Sequence, residues 1–465
     1  MSTDRRTIYR NQAPKTSLPP FQGASLVKSF HESLPAYAPT PLVPLEDLAK
    51  ELGVKGIFVK DESTRLGLPS FKILGASWGT YRAITAHLKL GQDTDLTVLS
   101  DEARKHSVRL LAATDGNHGR AIARMGQLLK LPVDIFVPYD LDEYTRNLIA
   151  SEGATVTVVE GDYDAAILRA NQKSSSLENS LLIQDTAFEG YEEIPSWIVE
   201  GYSTMLHEID SQLASYNIKP TTIITPAGVG SLSHAVVSHS KSEDRNITVL
   251  TVEPDTAACL HKSLKLGTST PLQTSKTIMS GLNCGTVSST AWPILHSGVD
   301  ASTTISDYES DQAVKYLSSH GLSAGPCGSA ALAALTHVAS TDPSAINLSP
   351  DSVIVLLCTE GRRPYYPPVD VSSSDPVQVT KALNQANSLD ANTPKEVTAR
   401  RDYITAWLQH RDLGIEELEA MPGYPSPQRA PGLAPECAVS ESYTLAACMT
   451  TLLRAKRERD ASSSS

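Results

Sequence analysis

In the stretch Gly67 to Ser77, "GLPSFKILGAS", one lysine, Lys72, interrupts a run of apolar and small residues. An ammonium is strongly hydrated, so placing it in a compact segment costs free energy unless it is paired, neutralised or used covalently. Three chemistries fit: the tip reaches water, it pairs with an acid such as Asp61 or Glu62, or the amine condenses with an aldehyde cofactor. Two further stretches bear on the choice. "TPAGVGSLSHAVV" sets Gly228, Gly230 and Ser231 between a strand-like and a helix-like run, where backbone N–H groups and a helix start can hold a phosphate. On its own it reads equally as a plain strand-to-helix turn, and it has neither the Gly-Lys-Ser/Thr ending of a Walker loop nor the dinucleotide fingerprint. "ATDGNHGRAIA" places Asp115, Asn117 and His118 at another such junction, with an Asx turn as the plain alternative and packing against the sheet as the expectation for His118. In "QDTAFEGY", Asp185 is either a site carboxylate or the N-cap of the helix that follows.

The elements that must position these groups follow from the alternation of strand-like and helix-like text. "RLLAAT" precedes "GNHGRAIARMGQLLK", "VDIFVPYD" precedes "DEYTRNLIASEGA", and "TVTVVEGD" precedes "YDAAILRANQK". Three later strand-like runs, "TTIITP", "ITVLTVEPD" and "SVIVLLCTEG", end in small or acidic residues. The alternation predicts an α/β architecture of parallel strands with crossover helices, whose ligands gather at the strand ends. Residues 370 to 392 read as a linker; beyond it Thr393 and Glu396 form a capping box with Pro394 at the first helical position, and a last amphipathic helix carries Leu445, Met449, Leu452 and Leu453.

The 465 residues carry 40 Lys+Arg against 52 Asp+Glu, a net charge of -12, which repels a phosphate backbone and argues against a nucleic-acid partner. The N-terminal text lacks a signal-peptide core and the longest apolar runs are far short of a membrane span, so the expected location is cytoplasmic. Six cysteines show no C-x-x-C spacing, which favours buried thiols over disulfides and predicts no metal site.

Together, "SFKILGA", "DGNHG" and "AGVGSL", in this order, resemble the fold type II pyridoxal 5′-phosphate (PLP) enzymes, which include threonine and serine dehydratases, cysteine synthase and the tryptophan synthase β chain. Longer stretches, "KDESTRLGLPSFKILGAS", "IQDTAFEGYEEIPSWIVEGYSTM", "VEPDTAACLHKSL", "TIMSGLNCG" and "CTEG", are similar to the diaminopropionate ammonia-lyases within that family, over roughly residues 37 to 361. The resemblance implies two open, twisted, mostly parallel sheets with flanking helices: a large PLP-binding domain from residues 1–80 and 205–368 and a small α/β domain from 81–204; the linker at 369–392 and a helical C-terminal extension over 393–465 with a disordered end are expected from the residues alone and have no counterpart in it. It implies that Lys72 holds the cofactor and then acts as a base, that Phe71 packs on it, and that Asn117 donates to its ring oxygen. By the same resemblance Gly228, Val229, Gly230, Ser231 and Leu232 bind its phosphate, and Thr359, with Cys358 as the other candidate, faces its ring nitrogen. Asp115 would serve as the base for a D-isomer while Lys72 serves the L-isomer, and Asp185 would lie near the substrate's β-amino group.

The chain departs from those lyases in two places. Pro326 and Cys327 in "GLSAGPCGSAALAAL" stand where an acidic residue is found, and Pro69-Ser70 makes the lysine motif look more like the Ser-Phe-Lys of dehydratases. The leading expectation is a homodimeric PLP enzyme eliminating ammonia from a small amino-acid substrate, 2,3-diaminopropionate. The alternatives are a serine or threonine dehydratase, a β-replacement enzyme, and a catalytically idle PLP-fold interaction protein.

Overall fold

The computed structural model describes residues 7–368 apart from 14–16, 20, 22, 115, 140, 162, 243–244, 275 and 366. Asp115, the linker, the Thr393–Glu396 capping box and the C-terminal extension lie outside the described residues.

The chain forms two sheets. The strands are, in chain order, β1 (Ile8–Arg10), β2 (Leu42–Pro44), β3 (Gly56–Asp61), β4 (Arg109–Ala113), β5 (Val133–Pro138), β6 (Thr155–Val159), β7 (Ser180–Leu182), β8 (Thr222–Pro226), β9 (Thr248–Pro254), β10 (Ala301–Ile305) and β11 (Val353–Cys358). The seven-stranded sheet runs β1-β10-β9-β8-β11-β3-β2 and the four-stranded one β6-β5-β4-β7. All pairings are parallel except those of the two edge strands β1 and β2. The inner strands β8, β9 and β11 are buried along almost their whole length, which explains why they read as continuous apolar runs. The three short edge or late strands β1, β2 and β7 carry too few residues to announce themselves in the text.

The helix Lys72–His87 joins the two halves, and its small residues have a packing reason. A Cβ on Gly75 would lie 2.6 Å from the Tyr202 ring, one on Gly79 would lie 2.5 Å from Ile198, and one on Gly201 would lie 2.6 Å from the Leu74 carbonyl. The glycines therefore let this helix sit almost backbone to backbone against the helix Glu193–Gly201. The start of the Lys72 helix is fixed by the Ser70 hydroxyl, which accepts from the Lys72 N–H at 3.1 Å. Upstream of it, the turn that follows β3 holds Leu66 at a φ of +50°. That turn is tied to the body by Arg65, whose guanidinium donates to Glu62 and Glu208.

Candidate active site

A cavity of about 520 Å³ opens where the C-terminal ends of β4, β7, β8 and β11 meet the start of the Lys72 helix, within the size range of small-molecule sites. Lys72, Phe71, Asn117, His118, Asp185, the loop from Gly228 to Leu232 and Thr359 all line it. Sites at strand ends are what an open parallel sheet offers, because the βα turns leave their N–H groups and side chains facing one crevice.

Lys72 Nζ donates to Asp185 Oδ2. Of the plain alternatives for this lysine, pairing with Asp61 or Glu62 does not occur: Glu62 is engaged by Arg65 and Thr40. Burial works against the charged amine, but the Asp185 carboxylate beside it outweighs that and raises the Lys72 pKa above its ordinary value. Burial likewise pushes Asp185 upward, and the lysine charge, with His118, brings it down to about 2. The pair is thus fully ionised in a neutral solution. Asp185 is not the cap of a helix, since the next helix begins at Glu193 with Glu192 as its N-cap. Its position is held instead by its own backbone carbonyl, which accepts from the Ser231 hydroxyl at 2.6 Å.

His118 sits at the start of the helix Asn117–Leu129, with Nε2 2.8 Å from the Ile183 carbonyl. It does pack against the four-stranded sheet, as expected, yet its other nitrogen, Nδ1, has no hydrogen-bond partner and stands 3.9 Å from Asp185 Oδ2. The turn before it is closed by Thr114, whose hydroxyl accepts from the N–H groups of Gly116 and Gly119 at 2.9 and 3.0 Å.

The loop after β8 has the features of a phosphate site. Gly230 has a φ of +97°, in the left-handed region that glycine adopts freely. A Cβ on Gly228 would lie 3.1 Å from both Cys284 Sγ and the Gly281 carbonyl. The loop leads into the ten-residue helix Ser231–Ser240, whose first N–H groups face the cavity end.

Thr359 and Cys358 part company here. Thr359 lines the cavity, whereas Cys358 is turned into the core, where its sulfur would lie 3.1 Å from a Cβ placed on Gly328. Adjacent residues at a strand end face opposite ways, so only one of the two could meet a ligand. The sequence reading gave no role to Glu360, and the site does: its carboxylate accepts from Asn117 Nδ2 at 2.9 Å and from the Cys327 N–H at 3.1 Å. Where the loop at Pro326–Cys327 lacks an acidic side chain, a carboxylate from the end of β11 occupies the neighbourhood. The stretch "CTEG" was the available signal. Among the described residues no cluster of His, Cys, Asp or Glu could hold a metal ion, and no helix is long and apolar enough to cross a membrane.

A lysine at a helix start, a glycine loop opening a second helix, an asparagine turn and a strand-end hydroxyl around one cavity define a PLP-dependent enzyme of fold type II. Residues 34–360 match the model of the pyridoxal-phosphate dependent enzyme family, and the chain belongs to it. Over 279 residues it is 36% identical to the diaminopropionate ammonia-lyase of Salmonella typhimurium, covering 58% of this chain and 69% of that one. Identity to the Escherichia coli diaminopropionate ammonia-lyase is 34% over the same length and coverage. The crystal structure of the E. coli enzyme in complex with an aminoacrylate–PLP azomethine reaction intermediate matches with a TM-score of 0.69 and 29% identity, over 77% of this chain and 93% of that chain.

The residues present fit PLP. The glycines keep space for an anion against backbone N–H groups, the amine of Lys72 reaches the same cavity, and Phe71 lies beside it, its ring 5.5 Å from Nζ.

Proposed function

We propose that the chain is a PLP-dependent ammonia-lyase that converts 2,3-diaminopropionate, in its D or L form, to pyruvate and ammonia. The observation that carries this reading is the contact of an alkylammonium, that of Lys72, with the Asp185 carboxylate inside the cofactor cavity. A site that holds one primary ammonium on a buried carboxylate is built to receive the β-ammonium of a diamino acid, and would hold a hydroxyl less well.

PLP, when bound, supplies an electron sink that acidifies the substrate's α-proton. The remaining work belongs to the chain. Lys72 would hold the cofactor through its amine, and the free amine would take the α-proton of an L-substrate at Nζ. Asp185 holds the β-ammonium as the leaving group, which departs as ammonia. The N–H groups from Gly228 to Leu232 hold the phosphate, the Asn117 amide donates to the ring oxygen with Glu360 fixing its orientation, and Phe71 packs beside the ring. Thr359, which lines the cavity, would offer the cofactor's ring nitrogen a neutral hydroxyl rather than a charged partner. For a D-substrate, Asp115 serves as the base.

We assign the seven-stranded sheet to a large domain (1–80 and 205–368) and the four-stranded sheet to a small one (81–204), and expect a cytoplasmic homodimer. Ammonia and pyruvate release from D- and L-diaminopropionate, D- and L-serine and L-threonine tests the activity. Preferential turnover of the hydroxy-amino acids would overturn the substrate assignment, and sedimentation of the purified chain as a monomer would overturn the dimer.

A further inference from the structure

His118 and Asp185, which both line the cavity, hold two hydrogen-bond acceptors 3.9 Å apart. The Nε2 of His118 faces a backbone carbonyl, which can only accept, so Nε2 carries the proton. Burial lowers the pKa of the ring, which keeps it neutral; Nδ1 is then a bare lone pair. That lone pair has no partner and lies 3.9 Å from Asp185 Oδ2, also an acceptor. Two buried acceptors at this separation repel each other unless a group with at least two hydrogens to donate sits between them. A primary ammonium is such a group, and Lys72 already shows one bonded to Oδ2.

We propose that His118 Nδ1 and Asp185 Oδ2 form a two-acceptor clamp that reads the leaving group, accepting from two N–H bonds of a β-ammonium and rejecting a β-hydroxyl. The proposal rests on the diaminopropionate reading above and names the residue that makes it selective. A hydroxyl has one hydrogen to give, so satisfying Asp185 turns an oxygen lone pair towards Nδ1. An ammonium satisfies both. Discrimination of this kind comes as much from the unpaired acceptor left behind by the wrong substrate as from the bond made by the right one.

The test compares kcat/KM for L-2,3-diaminopropionate with that for L-serine in the PLP-loaded wild type, H118Q and H118N. Glutamine can keep the bond to the Ile183 carbonyl but offers nothing at the Nδ1 position; the shorter asparagine can place an amide oxygen there. The diaminopropionate-to-serine ratio should fall about 30-fold in H118Q, as expected for one lost hydrogen bond to a charged group, and stay within about threefold of wild type in H118N. An unchanged ratio in H118Q, with both substrates losing equally, overturns the clamp while leaving the function reading intact. Absence of diaminopropionate turnover in the wild type overturns both. Should the variants not fold, the wild type decides: a β-N-methyl substrate keeps two N–H bonds and a β-N,N-dimethyl one keeps a single bond, so equal kcat/KM for the two would overturn the proposal and a much lower value for the dimethyl compound supports it.

Discussion

Two lysines are drawn into the interior, twelve residues apart, and they end in opposite situations. Lys60, on β3, donates to the Thr40 carbonyl, Glu208 and the Gln212 side chain at 2.7–2.9 Å, so all three of its hydrogens are used. Arg65, Glu62 and Glu208 complete a buried set of two cations and two anions in which Thr40 and Tyr37 take up remaining valences. Lys72 has Asp185 as its hydrogen-bonded acid, and beside that acid stands the partnerless Nδ1 of His118. The first network closes on itself; the second faces a cavity and is left incomplete. Incomplete satisfaction, more than burial of charge, marks the place where a ligand belongs.

The comparison is broken most directly at its two lysine partners. Lys72→Ala should lower pyruvate release from diaminopropionate by at least about 10³-fold, and borohydride treatment followed by mass spectrometry should find no cofactor on the chain, while the loss of stability in urea stays at or below roughly 2 kcal/mol, the contribution of the Asp185 pair. Retained activity would remove Lys72 from the chemistry. Glu208→Ala should do the reverse. It leaves Lys60 and half of Arg65 unpaired in the interior, at a cost of roughly 3–5 kcal/mol of stability, with kcat/KM of the folded enzyme nearly unchanged. Replacing Lys60 by Met together with Glu208→Leu should cost less than the single change, since Arg65 and Glu62 then remain as one balanced pair; a larger loss would mean that the network is more than a closed circuit.

A sharper test of what positions the open site is Gly75, on the helix that carries Lys72. An alanine there meets Tyr202 and Ile198 at 2.6–2.7 Å, so Gly75→Ala should destabilise by up to about 3 kcal/mol through overpacking and, by shifting the helix, lower kcat as well. Urea unfolding and steady-state kinetics on the same preparation check this, and an effect on stability alone would mean that the lysine is positioned independently of that contact.

How much of this could be read beforehand depends on whether the cause is local. Lys72, Asn117 and the run from Gly228 to Leu232 were legible, because glycine, asparagine and a misplaced lysine each have few structural reasons to occur where they do. The β4, β5, β6, β8 and β9 strands were legible as β-rich text before a helix, and β11 as a continuous apolar run. The role of Glu360 was not: it comes from Asn117 approaching across 243 residues. Nor could Thr359 be told from Cys358, because strand alternation says that they face opposite ways, and only the packing of Gly328 says which way the core lies. Lys60 was passed over in "GIFVKD" because its partners come from residues 40, 208 and 212. His118 was half legible, its bond to the sheet foreseen and its second nitrogen not.

The smallest effect concerns acid. Asp185, which ordinarily titrates near 3.9 when unfolded, is held at about 2 in the fold. A group whose pKa is depressed by folding contributes its full stabilisation above the unfolded value and loses it as pH falls towards the folded one. In the PLP-free protein the Lys72–Asp185 pair should therefore contribute up to roughly 2 kcal/mol at neutral pH, lost progressively between about pH 4 and pH 2. Other carboxylates also titrate in that window: Glu208 is lowered too, because the hydrogen bonds and charges of Arg65 and Lys60 outweigh its burial. The informative quantity is thus a difference: the slope of unfolding free energy against pH in wild type, minus that in Asp185→Asn, which cannot titrate there. A steeper wild-type slope between pH 4 and 2 is the expected result, and identical slopes would mean that the closed circuit around Glu208, with the remaining acids, carries the whole acid response.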